Sequence, residues 1–350
     1  MHPYKALIAG VTGAVGGAVG RHLVDAGYGE VVGLSRRPAA HAIDGVRYVQ
    51  ADLDDLAATR RALEAHLDIT HVFYCARASH AEQTLENAPG NLRLLEHLVS
   101  ALEPGALEHV HVVQGGKVYG VHIGPFPTPA REDDARAPIE NFNYAHEDFL
   151  RARAPRSGWR WSTSRPNTLL HFSPSIARNL ISSLGAYAAI CRELGAALDF
   201  PGPAAAYDSI TQITSLEILT DAIDWMSRDP WCANEAFNIT NGDVFRWHQV
   251  WPLIADFFDM PCGTVRPMRL ATTMPVQARV WETVAARHNL ASARLEDVAN
   301  WEYLDATLER TWDEILSTNK ARAFGFHGWA DTLAEFATLL GRYRKMRILP

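Results

Sequence analysis

The stretch Gly10-Val11-Thr12-Gly13-Ala14-Val15-Gly16 limits what this chain can fold into more than any other. It follows a short apolar run at residues 4–9 and opens a segment, residues 14–26, whose apolar positions recur at helical spacing until Gly27. Strand, glycine turn and helix in that order give each glycine a task. Gly10 permits the tight turn, Gly13 lets a pyrophosphate approach the backbone, and Gly16 lets the helix lie close on the strand. The helix start adds unpaired N–H groups and the positive end of a dipole, which together form an anion site. Glycines that merely make a turn would not need this context.

The pattern then repeats. Apolar runs at 31–34, 46–50 and 71–76 read as strands, with a helix-patterned segment at 56–67. A helix at 88–102, a strand at 110–114, a helix at 144–153 and a strand at 160–164 continue the alternation, and 236–240, closed by Asn241-Gly242-Asp243, reads as a last strand. Such alternation predicts an α/β, Rossmann-type doubly wound parallel sheet with right-handed crossovers. Residues from about 169 to 206 and from 244 to 350 are helical in pattern and rich in aromatics, a smaller, mostly helical C-terminal substrate lobe. The nucleotide domain is then 1–168 plus about 207–243, with a discontinuous boundary. The Pro-rich segment 124–138 reads as a long structureless loop, a wall for a site at the sheet's edge.

A formal charge of −7 argues against nucleic acid or an anionic membrane as partner. The Arg-rich stretch 151–160 contains Pro155 and Gly158 and reads as a solvated turn after a helix. Cys75, Cys191, Cys232 and Cys262 are too far apart for a zinc pair and suit a reducing compartment. No basic, apolar leader opens the chain and no 18-residue uncharged apolar run occurs, so the expectation is a cytoplasmic protein without a membrane span. His109-Val110-His111 lacks the helical spacing and carboxylate of a metal site, and no metal is expected.

Cofactor choice is read at the second strand's end. An Asp or Glu there would hold a ribose 2′-hydroxyl, but the chain has Ser35-Arg36-Arg37-Pro38, and a guanidinium grips a 2′-phosphate. NADPH is therefore expected. Asp52-Leu53 is placed for the adenine, although Asp52 suits a helix cap equally. The expected cofactor surface also takes in Thr12, Ala14, Val15, Tyr74, Cys75, Ala76, Gln114, Lys117, Tyr144 and Ser173, with Pro166-Asn167-Thr168 offering backbone groups near the nicotinamide.

Hydride delivery to a carbonyl or enone leaves negative charge on oxygen, so a donor and a positive charge are needed there. Tyr144 and Lys117 are the candidates. The usual short-chain dehydrogenase Tyr and Lys four apart is broken, because position 148 is Asp148. Lys117 instead follows Gly115-Gly116 at the end of the fifth strand. With Asp68-Ile69-Thr70-His71-Val72-Phe73-Tyr74, Lys117-Val118-Tyr119, Asn141-Phe142-Asn143-Tyr144, Glu147-Asp148, Arg165-Pro166, Phe172-Ser173-Pro174 and Asn241-Gly242-Asp243-Val244-Phe245, the chain resembles the progesterone 5β-reductase and iridoid synthase-like family of atypical short-chain dehydrogenases over nearly its whole length.

The resemblance implies NADPH-dependent 1,4-reduction of the C=C bond of an enone or enal, with Tyr144 as oxyanion donor, Lys117 as the supporting charge, and a homodimer. Tyr119, Asn143, Phe149 and Tyr187 are the expected substrate contacts, for an apolar small molecule. Two departures stand out: the family has paired tyrosines where this chain has Asn143-Tyr144, and the loop after Lys117 is longer. A carbonyl reductase, a nucleotide-sugar epimerase relative and a non-catalytic NADP-binding redox sensor are the other readings of the same fold. Phe172, Trp225, Trp247 and Trp251 suit a core as well as a pocket.

Overall fold

The computed structural model describes residues 4–39, 41–78 and 86–350. Strands β1 (Ala6–Ala9), β2 (Val31–Ser35), β3 (Val46–Gln50), β4 (His71–Tyr74), β5 (His109–Val113) and β6 (Arg160–Pro166) alternate with helices α1 (Ala14–Asp25), α2 (Leu56–Leu63), α3 (Ala88–Leu102) and α4 (Phe142–Ser157). There follow β7 (Thr168–Leu170), α5 (Leu180–Glu193), β8 (Leu198–Phe200), α6 (Ala204–Asp208), β9 (Ile213–Ser215), α7 (Leu216–Arg228), β10 (Glu235–Ile239), α8 (Trp247–Phe257) and β11 (Cys262–Val265).

The main sheet is parallel with the order β10-β6-β5-β4-β1-β2-β3. Its order reverses between β1 and β4, where a doubly wound sheet opens a crevice at the strands' carboxyl ends. Period-two alternation explains both covered faces. Leu7 and Ala9 of β1 point into a core with α2, α3 and α4, while Ala6 and Ile8 point into one with α1 and α7. A third core belongs to the C-terminal helices. All residues of α5 from Leu180 to Cys191 are buried, as befits a helix covered all round. Trp247, Trp251 and Phe336 pack there edge to face.

The structure corrects two readings of the sequence. The Arg-rich stretch is no solvated turn: α4 runs through Pro155 to Ser157 and ends on Gly158 at φ 81°, whose N–H donates to the Ala154 carbonyl. Pro155 sits in the last turn, so its missing N–H removes a single helix bond. The arginines work on the helix surface, Arg151 pairing with Glu147 and lying over the Trp161 ring, and Arg153 pairing with Glu103. The segment 124–138 is also no free loop. Ala130 donates to the Ile315 carbonyl and accepts from Ser317, both at 2.8 Å, which straps it to the C-terminal part of the chain.

The histidines serve the sheet. His111 bonds Ser162 Oγ at 2.8 Å and Ser164 Oγ at 3.0 Å, which gives these serines, unassigned from sequence, a structural role. Burial lowers the pKa of His71 to about 4 and that of His111 to about 3, so both are neutral inside the fold. No described helix is long and apolar enough to cross a membrane.

Candidate functional site

At the β1 carboxyl end the glycine turn is as tight as its spacing predicts. Gly10 has φ +83°, and a Cβ there would lie 2.9 Å from the Ala76 backbone nitrogen. A Cβ on Gly16 would lie 2.3 Å from the Gly10 carbonyl oxygen, so a side chain would lever α1 off the strand. Gly13 caps α1 without a side-chain bond, and the first turn holds no acidic residue. With Thr12 and Gly13 exposed and Ala14 and Val15 half-buried, the helix N–H groups are open to a phosphate. This cradle fits a dinucleotide.

At the β2 end, Ser35 Oγ donates to the Arg37 carbonyl at 2.7 Å and Gln50 Nε2 to that of Arg36 at 3.2 Å. The turn is fixed, and both guanidinium groups stay exposed at its rim. Asp52 accepts from the Asp54 N–H at 3.1 Å, a local turn, and is not the helix cap of its alternative reading, because Asp55 caps α2 by accepting from the Ala58 N–H. The Leu53 side chain is buried in the sheet–helix core, which corrects its expected place against the adenine. Tyr74 is likewise in that core, while Cys75 and Ala76 continue from β4 to the crevice beside Gly10.

The reacting end is built from distant segments. Lys117 lies on a single 3-10 turn, Gly116–Tyr119, directly after β5, and its ammonium pairs with Glu86. Glu86 also binds Arg77 at 2.7 Å. Asn141, which caps α4, donates its Nδ2 to the Lys117 carbonyl at 2.7 Å and thereby joins the lysine turn to the helix start. Gln114, the first residue after β5, donates to the Asn143 carbonyl at 2.9 Å and accepts from Arg165 Nε at 3.1 Å. Arg165 reaches Glu147 at 2.7 Å and Tyr119 Oη at 3.0 Å. Burial pushes the Glu147 carboxyl up, but Arg165 and Arg151 outweigh it and hold it below the usual carboxylate range.

Tyr144 is only 8% exposed, and its hydroxyl donates to the Val118 carbonyl at 2.5 Å and accepts from the Ala137 N–H at 3.0 Å. Arg136 lies 4.8 Å above its ring and grips Asp148 with two bonds of 2.7 and 2.8 Å. The Lys117 ammonium and the Tyr144 hydroxyl are thus engaged with separate partners. Asn143, next to it, is 1% exposed.

The other expected substrate contacts are also used elsewhere. Tyr119 Oη donates to Asn238 Oδ1 at 2.5 Å, Phe149 packs on the sheet–helix core, and Tyr187 lies in the C-terminal core with its hydroxyl on the Asp199 carbonyl at 2.9 Å. Phe172 packs on Tyr343, Trp225 on Phe237, and Trp247 and Trp251 on one another, so all four serve packing. At the β6 end, Asn167 donates its N–H to Thr214 Oγ1 and its side chain to the Gln212 carbonyl, both at 3.0 Å. Thr168 Oγ1 accepts from Arg310 at 3.4 Å. Ser173 is held through its backbone by the Tyr343 hydroxyl at 2.9 Å. Glu86, Arg136 and Arg165 were not foreseen. The bonds Arg136–Asp148, Glu86–Lys117 and Arg165–Gln114 span 12, 31 and 51 residues, beyond the reach of any local pattern.

Sheet order, glycine cradle and crevice define a dinucleotide-binding Rossmann fold. UDP-glucose 4-epimerase from Brucella ovis, solved in complex with NAD, shares that fold with a TM-score of 0.68 at 16% identity, over 97% of this chain and 98% of its own. The sequence profile of the PRISE-like Rossmann-fold domain matches residues 34–350, and the chain belongs to this family. A 3-oxo-Δ(4,5)-steroid 5β-reductase of Arabidopsis thaliana is 33% identical over 99% of this chain and 93% of its own length. An (S)-8-oxocitronellyl enol synthase of Nepeta racemosa is 32% identical over 99% and 91%.

Proposed function

We propose that this protein is an NADPH-dependent reductase of the C=C bond of enones or enals. Family membership carries the reaction class: the Arabidopsis relative is named for saturating a double bond conjugated to a 3-oxo group, and similarity to it spans nearly the entire chain. The choice of NADPH rests on Arg36 and Arg37, exposed on a fixed turn where a carboxylate would disfavour the 2′-phosphate.

When bound, the reduced nicotinamide supplies a hydride to the substrate's β-carbon. The conjugated electron pair then moves onto the carbonyl oxygen, and the resulting enolate takes a proton from water at its α-carbon. The chain's task is to hold that oxygen's charge. Lys117 stands at the carboxyl edge of β5, its turn fixed by Asn141 and its ammonium held by Glu86, and is the positive charge we place beside the oxygen. The phenol that resemblance assigns to the same oxygen is Tyr144, which in this structure fastens Val118 and Ala137.

A screen of cyclic and linear enones and enals that follows NADPH consumption and identifies products tests the reading. A saturated ketone or aldehyde is expected. An allylic alcohol would make it a carbonyl reductase instead, and NADPH binding without turnover over the whole panel would point to a redox sensor.

A further inference from the structure

We propose that Arg165 is a positioning residue for the reduction: from inside the fold its guanidinium grips both ends of the turn that carries Lys117, and so fixes the backbone from which the ammonium reaches the developing enolate. The proposal deepens the reductase reading and rests on it for the role of Lys117.

The place of Arg165 in the sheet is the first observation. Along β6, Trp161 and Arg165 lie four apart and point to the face covered by α4, while Ser162 and Ser164 point to the other face with His111. A strand position covered by a helix calls for an apolar side chain, yet an arginine only 3% exposed stands there. Its charge is met by Glu147 of α4. Stability alone does not require such a pair, since well-packed apolar residues of similar volume serve as well or better. What the guanidinium adds is a rigid, planar fork of five N–H donors.

Where the fork reaches is the second observation. Four of its donors are used, on four segments of the chain. Nε reaches Gln114, which follows β5 and leads into the lysine turn. Nη1 reaches the hydroxyl of Tyr119, the turn's last residue, and the Glu132 carbonyl at 3.1 Å, while Nη2 reaches Glu147. Lys117 therefore lies between two residues held by one planar group. The turn gains from such a clamp, because a single 3-10 turn is held from within by bonds of poor geometry, such as Val118 N–H to the Gly115 carbonyl at 3.0 Å and Gly120 N–H to the Lys117 carbonyl at 3.1 Å. The circuit closes through neighbours. Gln114 donates to the Asn143 carbonyl, Asn141 to that of Lys117, and Tyr119 to Asn238, which pairs with Arg165 across β10 and β6. One side chain thus sets the lysine turn, the start of α4 and β10 relative to one another.

The test compares the full wild-type chain with Arg165→Met, with the double variant Arg165→Met/Glu147→Leu, and with that double change added to Lys117→Met. It measures Tm, the NADPH dissociation constant, kcat and KM on the best enone, and hydrogen exchange at the Val118 and Gly120 amides. Arg165→Met strands a buried carboxylate and should lower Tm, whereas the double variant removes both buried charges and should bring Tm back. In both, kcat is expected to fall about 10- to 100-fold, the cost of misplacing a reacting group by roughly 1 Å, with KM and NADPH affinity within about threefold. The two amides should exchange about tenfold faster in the double variant. In the Lys117→Met background the double change should lower kcat by less than about threefold more, because Arg165 acts through Lys117.

A kcat that recovers together with Tm in the double variant would overturn the proposal, since Arg165 would then serve stability alone. So would wild-type exchange at both amides, or a full kcat loss on top of Lys117→Met. Should the double variant fail to fold, Arg165→Lys, which keeps a charge for Glu147 and loses the fork, carries the same measurements and expectations. A wild-type chain that reduces no enone would defeat the reductase reading, while amide exchange would still decide whether Arg165 holds the lysine turn.

Discussion

The two ends of the crevice are built on opposite principles. The phosphate end is backbone: its tight turn, its open N–H groups and its close helix contact come from glycines within seven residues of one another. The reacting end is side chain: Lys117, Glu86, Asn141, Gln114 and Asn143 come from separate segments and hold one another through long-range bonds. A backbone site is rigid and indifferent to what surrounds it, while a side-chain site can exchange members and so change its substrate without disturbing cofactor binding. Crowding sits at the phosphate end, where a Cβ on Gly10 or Gly16 would collide with backbone.

The sharpest way to break the contrast is Gly16→Val. With a Cβ 2.3 Å from the Gly10 carbonyl, α1 must move, and NADPH affinity should fall at least ~100-fold, read by titration. Retained affinity would mean the cradle is not the phosphate site. Lys117→Met should come next. It removes the charge beside the developing enolate, and kcat should drop roughly 10²- to 10³-fold with NADPH binding nearly unchanged; a variant that loses binding and keeps kcat would move Lys117 to the cofactor.

Arg36→Ala is a smaller, selective loss. A charge-assisted contact of about 1.5 to 3 kcal/mol predicts NADPH weakened about 10- to 150-fold with NADH unaffected, and equal loss for both coenzymes would remove the 2′-phosphate assignment.

Acid gives the smallest effect and separates the two ends by chemistry, because backbone N–H donors do not titrate and histidines do. Burial lowers the pKa of His146 beside the reacting end to about 4, as it does for His71 in the sheet and His171 in the C-terminal lobe. Each is neutral in the fold and takes up a proton near its ordinary value of about 6.5 once unfolded. Their contribution to stability is therefore whole above that pH and is lost as pH falls toward 4. Thermal melts should be flat from pH 8 to 7 and drop by several degrees by pH 5; a Tm that rises on acidification would contradict the burial of these rings.

The layout was legible where the physics is local. The strand–glycine–helix opening, the alternation of strands and helices, and the Arg36-Arg37 turn depend on residues adjacent in the chain, and the α/β fold follows from them. Mistakes arose where a tertiary partner overrode a local signal. Pro155 reads as a break, yet α4 passes through it, with Arg151 over Trp161 and Arg153 on Glu103 before it and Ser157 on Glu103 after it. The segment 124–138 reads as loose, yet Ile315 and Ser317 strap it down. Leu53 and Phe149 read as contacts of adenine and substrate, yet the Leu53 side chain is buried in the sheet–helix core and Phe149 packs against it.

By itself the sequence determined the nucleotide-binding fold, the phosphate cradle and the lysine at the sheet's edge, because backbone conformation and strand ends are written in short spans. Only the tertiary structure decided which side chains hold the lysine turn in place. Asn141 and Lys117 are 24 residues apart, and the hydrogen bond that joins the lysine turn to the start of α4 forms only when the chain folds.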